Sequence, residues 1–174
     1  LRSSQPQSGN ERLLVIVSHL NHGASVIETE DDRAKLAELN SKAAEHSLKK
    51  AAHKAALDYS AMGIQLLGPH GWQDQYALSH ELHVAATRAA FLHGELEQSE
   101  RYLNEIYACA QSPIDRVSAH ISQIEIYLAQ NQLTKATEVG WAALDDLGVP
   151  IMESLPTRIS PQVISTLPRM TDAR

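Results

Sequence analysis

The stretch IDRVSAHISQIEIYLAQNQLTKATEVGWAALDDLG (114–148) decides the fold. Ile114, Val117, Ile121, Ile124 and Tyr127/Leu128 recur at steps of three and four, which paints one face of an α-helix. Asn131, between Gln130 and Gln132, interrupts the pattern. It resumes as Leu133, Ala136, Gly140, Ala143, Leu144 and Leu147, and Gly148 before Val149-Pro150 reads as a helix stop. The segment therefore spells a helix, a short turn and a second helix.

The same plan lies upstream. Leu78, Leu82, Ala86, Ala89 and Leu92 precede Gly94, and Leu96, Ser99, Leu103, Ile106 and Ala110 precede Ser112-Pro113. Superposing Gly94 on Asn131 puts Leu96 on Leu133, Ser99 on Ala136, Leu103 on Gly140 and Ile106 on Ala143, an internal repeat with a period of 37. Residues 31–67 carry no Gly until Gly63 and no Pro, yet one helix of that length would span about 55 Å, so a break is placed near Leu48–Ala51. The second helix then runs through Ala55, Tyr59, Met62 and Leu66/Leu67 to Gly68-Pro69, with a loop at 68–74. At the N-terminus LLVIV (13–17) could be a buried strand. Asn10 as a cap and the spacing of Leu13, Ile16/Val17 and Leu20 before Gly23 favour a helix.

The expected organisation is a linker or disordered start at 1–9, a helical repeat domain at 10–149, and a Pro-rich linker or tail at 150–174 with one short helix near 161–167. The domain comprises a helix at 10–22 and pairs at 31–67, 73–111 and 114–148. Composition agrees: Ala and Leu supply most of the apolar mass and only 5% of residues are aromatic, which suits helices over sheets.

A net charge of −6 offers no basic patch for nucleic acid or anionic lipid, so neither is expected as a partner. Cys109 is the only cysteine, which excludes an internal disulfide and points to a cytoplasmic setting; its neighbours Tyr107, Ala108 and Ala110 read as a buried helix face. No apolar run approaches a membrane span, the first ten residues lack signal-peptide features, and the polar, Pro-bearing ends suggest a piece of a larger protein.

Turns of Gly or Asn set among small and large apolar residues resemble tetratricopeptide repeats, which implies an all-α, right-handed solenoid of antiparallel helix pairs. Gly94, Leu96 and Ser99, then Asn131, Leu133 and Ala136, carry that resemblance, whereas Thr87 and Ile124 stand where the family has a small residue. The segments at 11–27, 36–67, 71–82, 91–106 and 128–149 are similar to a helical region of large signalling proteins. In these a Ser/Thr kinase-like domain and an AAA or STAND-type ATPase precede the region, and GAF, PAS and histidine-kinase modules often follow. The resemblance implies a non-catalytic connector whose partners are neighbouring domains of the same chain or a protein or peptide, and it supplies no catalytic residue and no cofactor. The rival readings are a dimerisation and phosphotransfer segment of a histidine kinase and the ligand-sensing repeat arm of a STAND-type transcription regulator.

Motifs that could carry chemistry are incomplete. Ser79-His80-Glu81-Leu82 resembles the start of a phosphoacceptor box but continues His83-Val84-Ala85-Ala86 in place of Arg then Thr-Pro-Leu. His80 and His83 are three apart, as a metal pair could be, but a zinc site needs a third ligand, and His19, His22, His46 and His53 read as polar or helix-end groups. Gly63 and Gly68 have the spacing of a phosphate loop whose Lys and Ser/Thr are replaced by Pro69 and His70. Glu28, Glu30, Asp31 and Asp32 fall at a helix start, and Asp145 and Asp146 at a helix end, the latter read as solvated surface. The remaining candidate is a groove: Glu81, Val84, Arg88 and Phe91 form the face beside the packed stripe, and a period later Ser118, Ile121, Glu125 and Leu128 follow. Phe91, the only Phe, could anchor a partner or pack against the adjacent helix.

Overall fold

The structure, a computed structural model, describes residues 9–150. Residues 1–8 and 151–174 lie outside the described residues, and with them the expected short helix at 161–167. Among the described residues the fold is all-helical: α1 (Gly9–His22), a 3-10 turn (Ala24–Val26), α2 (Glu30–Lys49), α3 (His53–Leu67), α4 (Gly71–Asp74), α5 (Tyr76–His93), α6 (Leu96–Cys109), α7 (Pro113–Ala129) and α8 (Leu133–Asp146). LLVIV is helical, inside α1. Asn10 stands within that helix and not ahead of it as a cap, and the loop after Gly68 contains the one-turn α4.

The turns explain the repeat. Ala51, Gly94 and Asn131 take positive φ values of 56°, 93° and 57° between α2 and α3, α5 and α6, and α7 and α8. In each turn the next N–H reaches back five residues: Ala52 to Ser47 O, Glu95 to Ala90 O, and Gln132 to Tyr127 O, at 2.9, 2.9 and 2.8 Å. This left-handed closure satisfies carbonyls that the helix end leaves open. Helix starts are capped where the sequence allows it. Thr29 Oγ1 accepts from the Asp32 N–H ahead of an acidic first turn, and Ser112 Oγ accepts from the Asp115 N–H with Pro113 in the first turn.

Each helix packs on its neighbours in order: α1 on α2, α2 on α3, α3 on α5, α5 on α6, α6 on α7, and α7 on α8, while α2 and α7 also touch α5. α5 is the hub. The expected stripe of Leu78, Leu82, Ala86 and Ala89 is too narrow, because Ser79, His83, Thr87 and Ala90 are buried as well. Small residues let the helices approach closely. A Cβ on Gly63 would stand 2.5 Å from Leu82 Cδ2, so α3 meets α5 so closely that any larger residue there would force the buried Leu82 side chain to move. Ala56, Leu57, Ala89 and Ala90 form one core; Leu103, Ile106, Ala119 and Ile126 form a second, between α6 and α7. Several buried hydroxyls bond within the fold: Ser60 and Thr87 donate to carbonyls four residues back, and Ser99 Oγ donates to Thr87 O across α5 and α6 at 2.8 Å, whereas buried Ser47 Oγ has no partner among the described residues.

Several apolar positions read as core are exposed. Ile114, Ile121 and Leu128 of α7 are 74%, 52% and 50% exposed, and the residues α7 buries are Ala119, His120 and Ile126, one flank over. Ile16, Leu20, Leu92, Leu96, Leu133 and Leu147 are likewise exposed. Spacing identifies an apolar stripe, but which flank is covered depends on the neighbouring helix: α7 packs against α5, α6 and α8, whereas α8 packs chiefly against α7. Ala108 is exposed and Cys109 only partly buried, so that face is not the buried one expected.

Candidate functional site

The polar chemistry of the chain gathers in the seam where α4 and α5 meet α6 and α7. α4 places Trp72 over His83, ring centroids 4.7 Å apart, and beside Tyr76 at 5.7 Å. His83 is buried; its Nδ1 lies 2.7 Å from Ser79 O and its Nε2 2.8 Å from the Glu105 carboxylate of α6. His80 turns the other way, toward α7: its Nε2 donates to Asp115 O at 2.9 Å and lies 3.3 Å from Ser118 Oγ. Tyr76 Oη donates to the Asp115 carboxylate at 2.8 Å and accepts from the Gln111 N–H at 2.9 Å. The Ser112 hydroxyl, and then that of Tyr76, hold Asp115 below the usual carboxylate range.

A second group ties α6, α7 and α8. Tyr107 Oη donates to Gln123 Oε1 at 2.9 Å and lies 3.0 Å from His120 Nδ1, and burial pushes its phenol up to about 12. His120 Nε2 approaches Asp146 at 3.4 Å, and Arg116 places Nε 2.9 Å from the same carboxylate. Asp146 is thus no bare surface acid: it anchors the end of α8 to α7. In both groups the side chains bond to neighbouring helices, so the arrangement holds α5, α6, α7 and α8 in register. No group of three or more His, Cys, Asp or Glu side chains that could hold a metal ion occurs among the described residues.

The eight groove candidates do not share one environment. Val84 and Phe91 are half-buried and pack against the core of Leu103, Ile106, Ala119 and Ile126, so Phe91 lies against the adjacent helices. Ser118 is half-buried and bonded to the α5–α7 junction. Glu81, Arg88 and Glu125 are exposed, as are Ile121 and Leu128. Beside Glu81, which accepts from Ser41 Oγ at 3.4 Å, an open groove of 480 Å³ runs between α2 and α5, lined by Glu38, Ser41, Lys42, Tyr76 and Leu78.

Sequence reasoning missed the cross-helix partners. Asn21 of α1 and Asn40 of α2 exchange two amide hydrogen bonds of 2.8 Å, and Asn40 is fully buried. A polar residue inside an apolar stripe was the one available signal for it. Tyr76 with Asp115, His83 with Glu105, and Arg116 with Asp146 leave no local mark, since their partners lie 39, 22 and 30 residues away. No protein-family model, curated protein or solved structure matches the chain. No helix among the described residues is long and apolar enough to cross a membrane.

Proposed function

We propose that this chain is a non-catalytic, tetratricopeptide-like scaffold, a right-handed stack of helix pairs that holds neighbouring domains or a peptide within a cytoplasmic signalling ATPase or kinase. The observation that carries the reading is the repetition itself: three helix pairs, each closed by the same left-handed turn, with α5 touching both α2 and α7. Stacked pairs of this kind leave a continuous surface along their first helices, and such surfaces bind extended partners. Here that surface carries Glu38, Ser41, Lys42, Glu81, Arg88 and Glu125, so a complementary occupant sets basic residues against the three glutamates and an acidic residue against Arg88, and also offers apolar contacts.

Arg88 is the residue to change, because it is exposed and takes part in none of the ion pairs among the described residues. Arg88→Glu is expected to leave helicity and melting temperature unchanged and to weaken association with the flanking domains of the longer protein, supplied in trans. Unchanged association would remove this surface from the reading. The chain is also expected to neither hydrolyse ATP nor phosphorylate itself; phosphohistidine lost on His80→Gln would replace the scaffold reading with the phosphotransfer one.

A further inference from the structure

The repeat makes one uncovered surface interpretable. Val84 and Phe91 of α5 and Leu103 and Ile106 of α6 meet Ala119 and Ile126 of α7, so α7 covers that face of the α5–α6 pair. Advanced by the period of 37, the same positions are Ile121, Leu128, Gly140 and Ala143. Here Ile121 and Leu128 are half exposed, and Leu147 and Trp141 beyond them are exposed as well. The α7–α8 pair thus presents the half-seam that α5–α6 presents to α7, and no described residue fills it.

We propose that residues 151–167 of this chain occupy that half-seam and close the stack. Chain direction is the first argument. α7 begins at Pro113, and Pro150 follows α8 at the same period; the Arg116–Asp146 ion pair places the end of α8 beside the start of α7. The chain leaves α8 at the end of the face along which it must run. Length is the second. α7 uses 17 residues, and 151–167 is the same number, with Ile151, Leu155, Ile159, Val163 and Leu167 at every fourth position. Pro156 and Pro161 bar the segment from continuing as one unbroken helix like α7. With Ser154, Thr157, Arg158, Ser160 and Gln162 between its aliphatic residues, it suits a terminal cap, which repeat stacks need on their last apolar face.

The α5–α7 contacts pair residues 38 and 39 apart, as in His80 with Ser118 and Tyr76 with Asp115, which sets Ile121 against Ile159. In a Cys109→Ser background of the full 174-residue chain, Ile121→Cys with Ile159→Cys is expected to form an intramolecular disulfide under mild oxidation. It should form at least about tenfold faster than Ile121→Cys with Arg174→Cys, because an undocked tail would close both loops at similar rates. Equal rates would overturn the proposal, and a cross-linked dimer would assign the face to a second copy. Ile159→Asp with Val163→Asp in the otherwise unaltered chain leaves the helical body intact. It is expected to lower the melting temperature by several degrees and shift Trp141 emission to the red; an unchanged melt and spectrum would also overturn it.

Discussion

The α5–α6 and α7–α8 pairs are one design in two settings. Both consist of a long and a shorter helix joined by a left-handed turn, at Gly94 in one and Asn131 in the other. α5–α6 is held between α3 and α7, and α5 buries Ser79, Leu82, His83, Ala86, Thr87, Ala89 and Ala90. α7 buries only Ala119, His120 and Ile126, and α8 only Ala136. The apolar spacing of α7 is the cleaner of the two on paper, yet α7 leaves its Ile114–Ile121–Leu128 line open. Burial belongs to the neighbour as much as to the helix: a stripe is a capacity for contact, and stacking determines how much of it is used.

The largest break in the comparison should come from Leu103, buried in the core between α6 and α7, whose counterpart in α8 is Gly140. Leu103→Ala is expected to cost about 2–5 kcal/mol in urea unfolding, from lost transfer energy plus the cavity left behind. A loss under about 1 kcal/mol would show that the α6–α7 seam is loosely packed. Next comes Gly63, where an added methyl would meet the buried side chain of Leu82 at 2.5 Å and 2.9 Å. Gly63→Ala is expected to cost about 1–3 kcal/mol, the usual range for overpacking, despite alanine's better helix propensity. A neutral result would mean that α3 and α5 separate without penalty.

The fold was legible because its signals are local. Helix periodicity, the Gly94 and Asn131 turns, and the break after Leu48 all follow from residues within a few positions of one another. The site was legible only in part. Val84 and Phe91 share a face with Glu81 and Arg88 on a helical wheel, but α7 arrives over the first two and leaves the others exposed. Their counterparts Ile121 and Leu128 have no described helix over them. The Asn21–Asn40 and His83–Glu105 pairs depend on which helices meet, a consequence of stacking that no spacing rule encodes. Asp146 looked solvated because Arg116 stands a full helix pair away from it in the chain.

A smaller effect tests the start of α7, where the two pairs differ in capping: Ser112 caps α7, and α5 has no side-chain cap. Ser112→Ala is expected to cost about 1 kcal/mol. The same junction should respond to acid. Asp115 is held below its ordinary range, so the stability it contributes is present at neutral pH and is lost as pH falls below about 4, where the carboxylate takes up a proton in the folded chain. Acid unfolding of Tyr76→Phe, which lacks the phenol that donates to Asp115, should therefore show a shallower loss over that interval. An identical acid profile would remove the Tyr76–Asp115 bond from the account.

The smallest expected change is a gain. Gly140 lies inside α8 at ordinary helical φ, and a Cβ added there would find nothing closer than Ile124 Cδ1 at 4.0 Å. Gly63 and Gly140 are both helix-interior glycines, so both lose more backbone freedom on folding than alanine would. They differ in surroundings: Leu82 crowds the first, and open space meets the second. Gly140→Ala should therefore stabilise the chain by about 0.5–1 kcal/mol, the entropic saving with little steric charge against it. Measured beside Gly63→Ala in the same denaturant series, the two substitutions should move the unfolding midpoint in opposite directions. If both lower it, another group already reaches the space beside Gly140, and the contrast between the enclosed pair and the open one is smaller than the helix contacts imply.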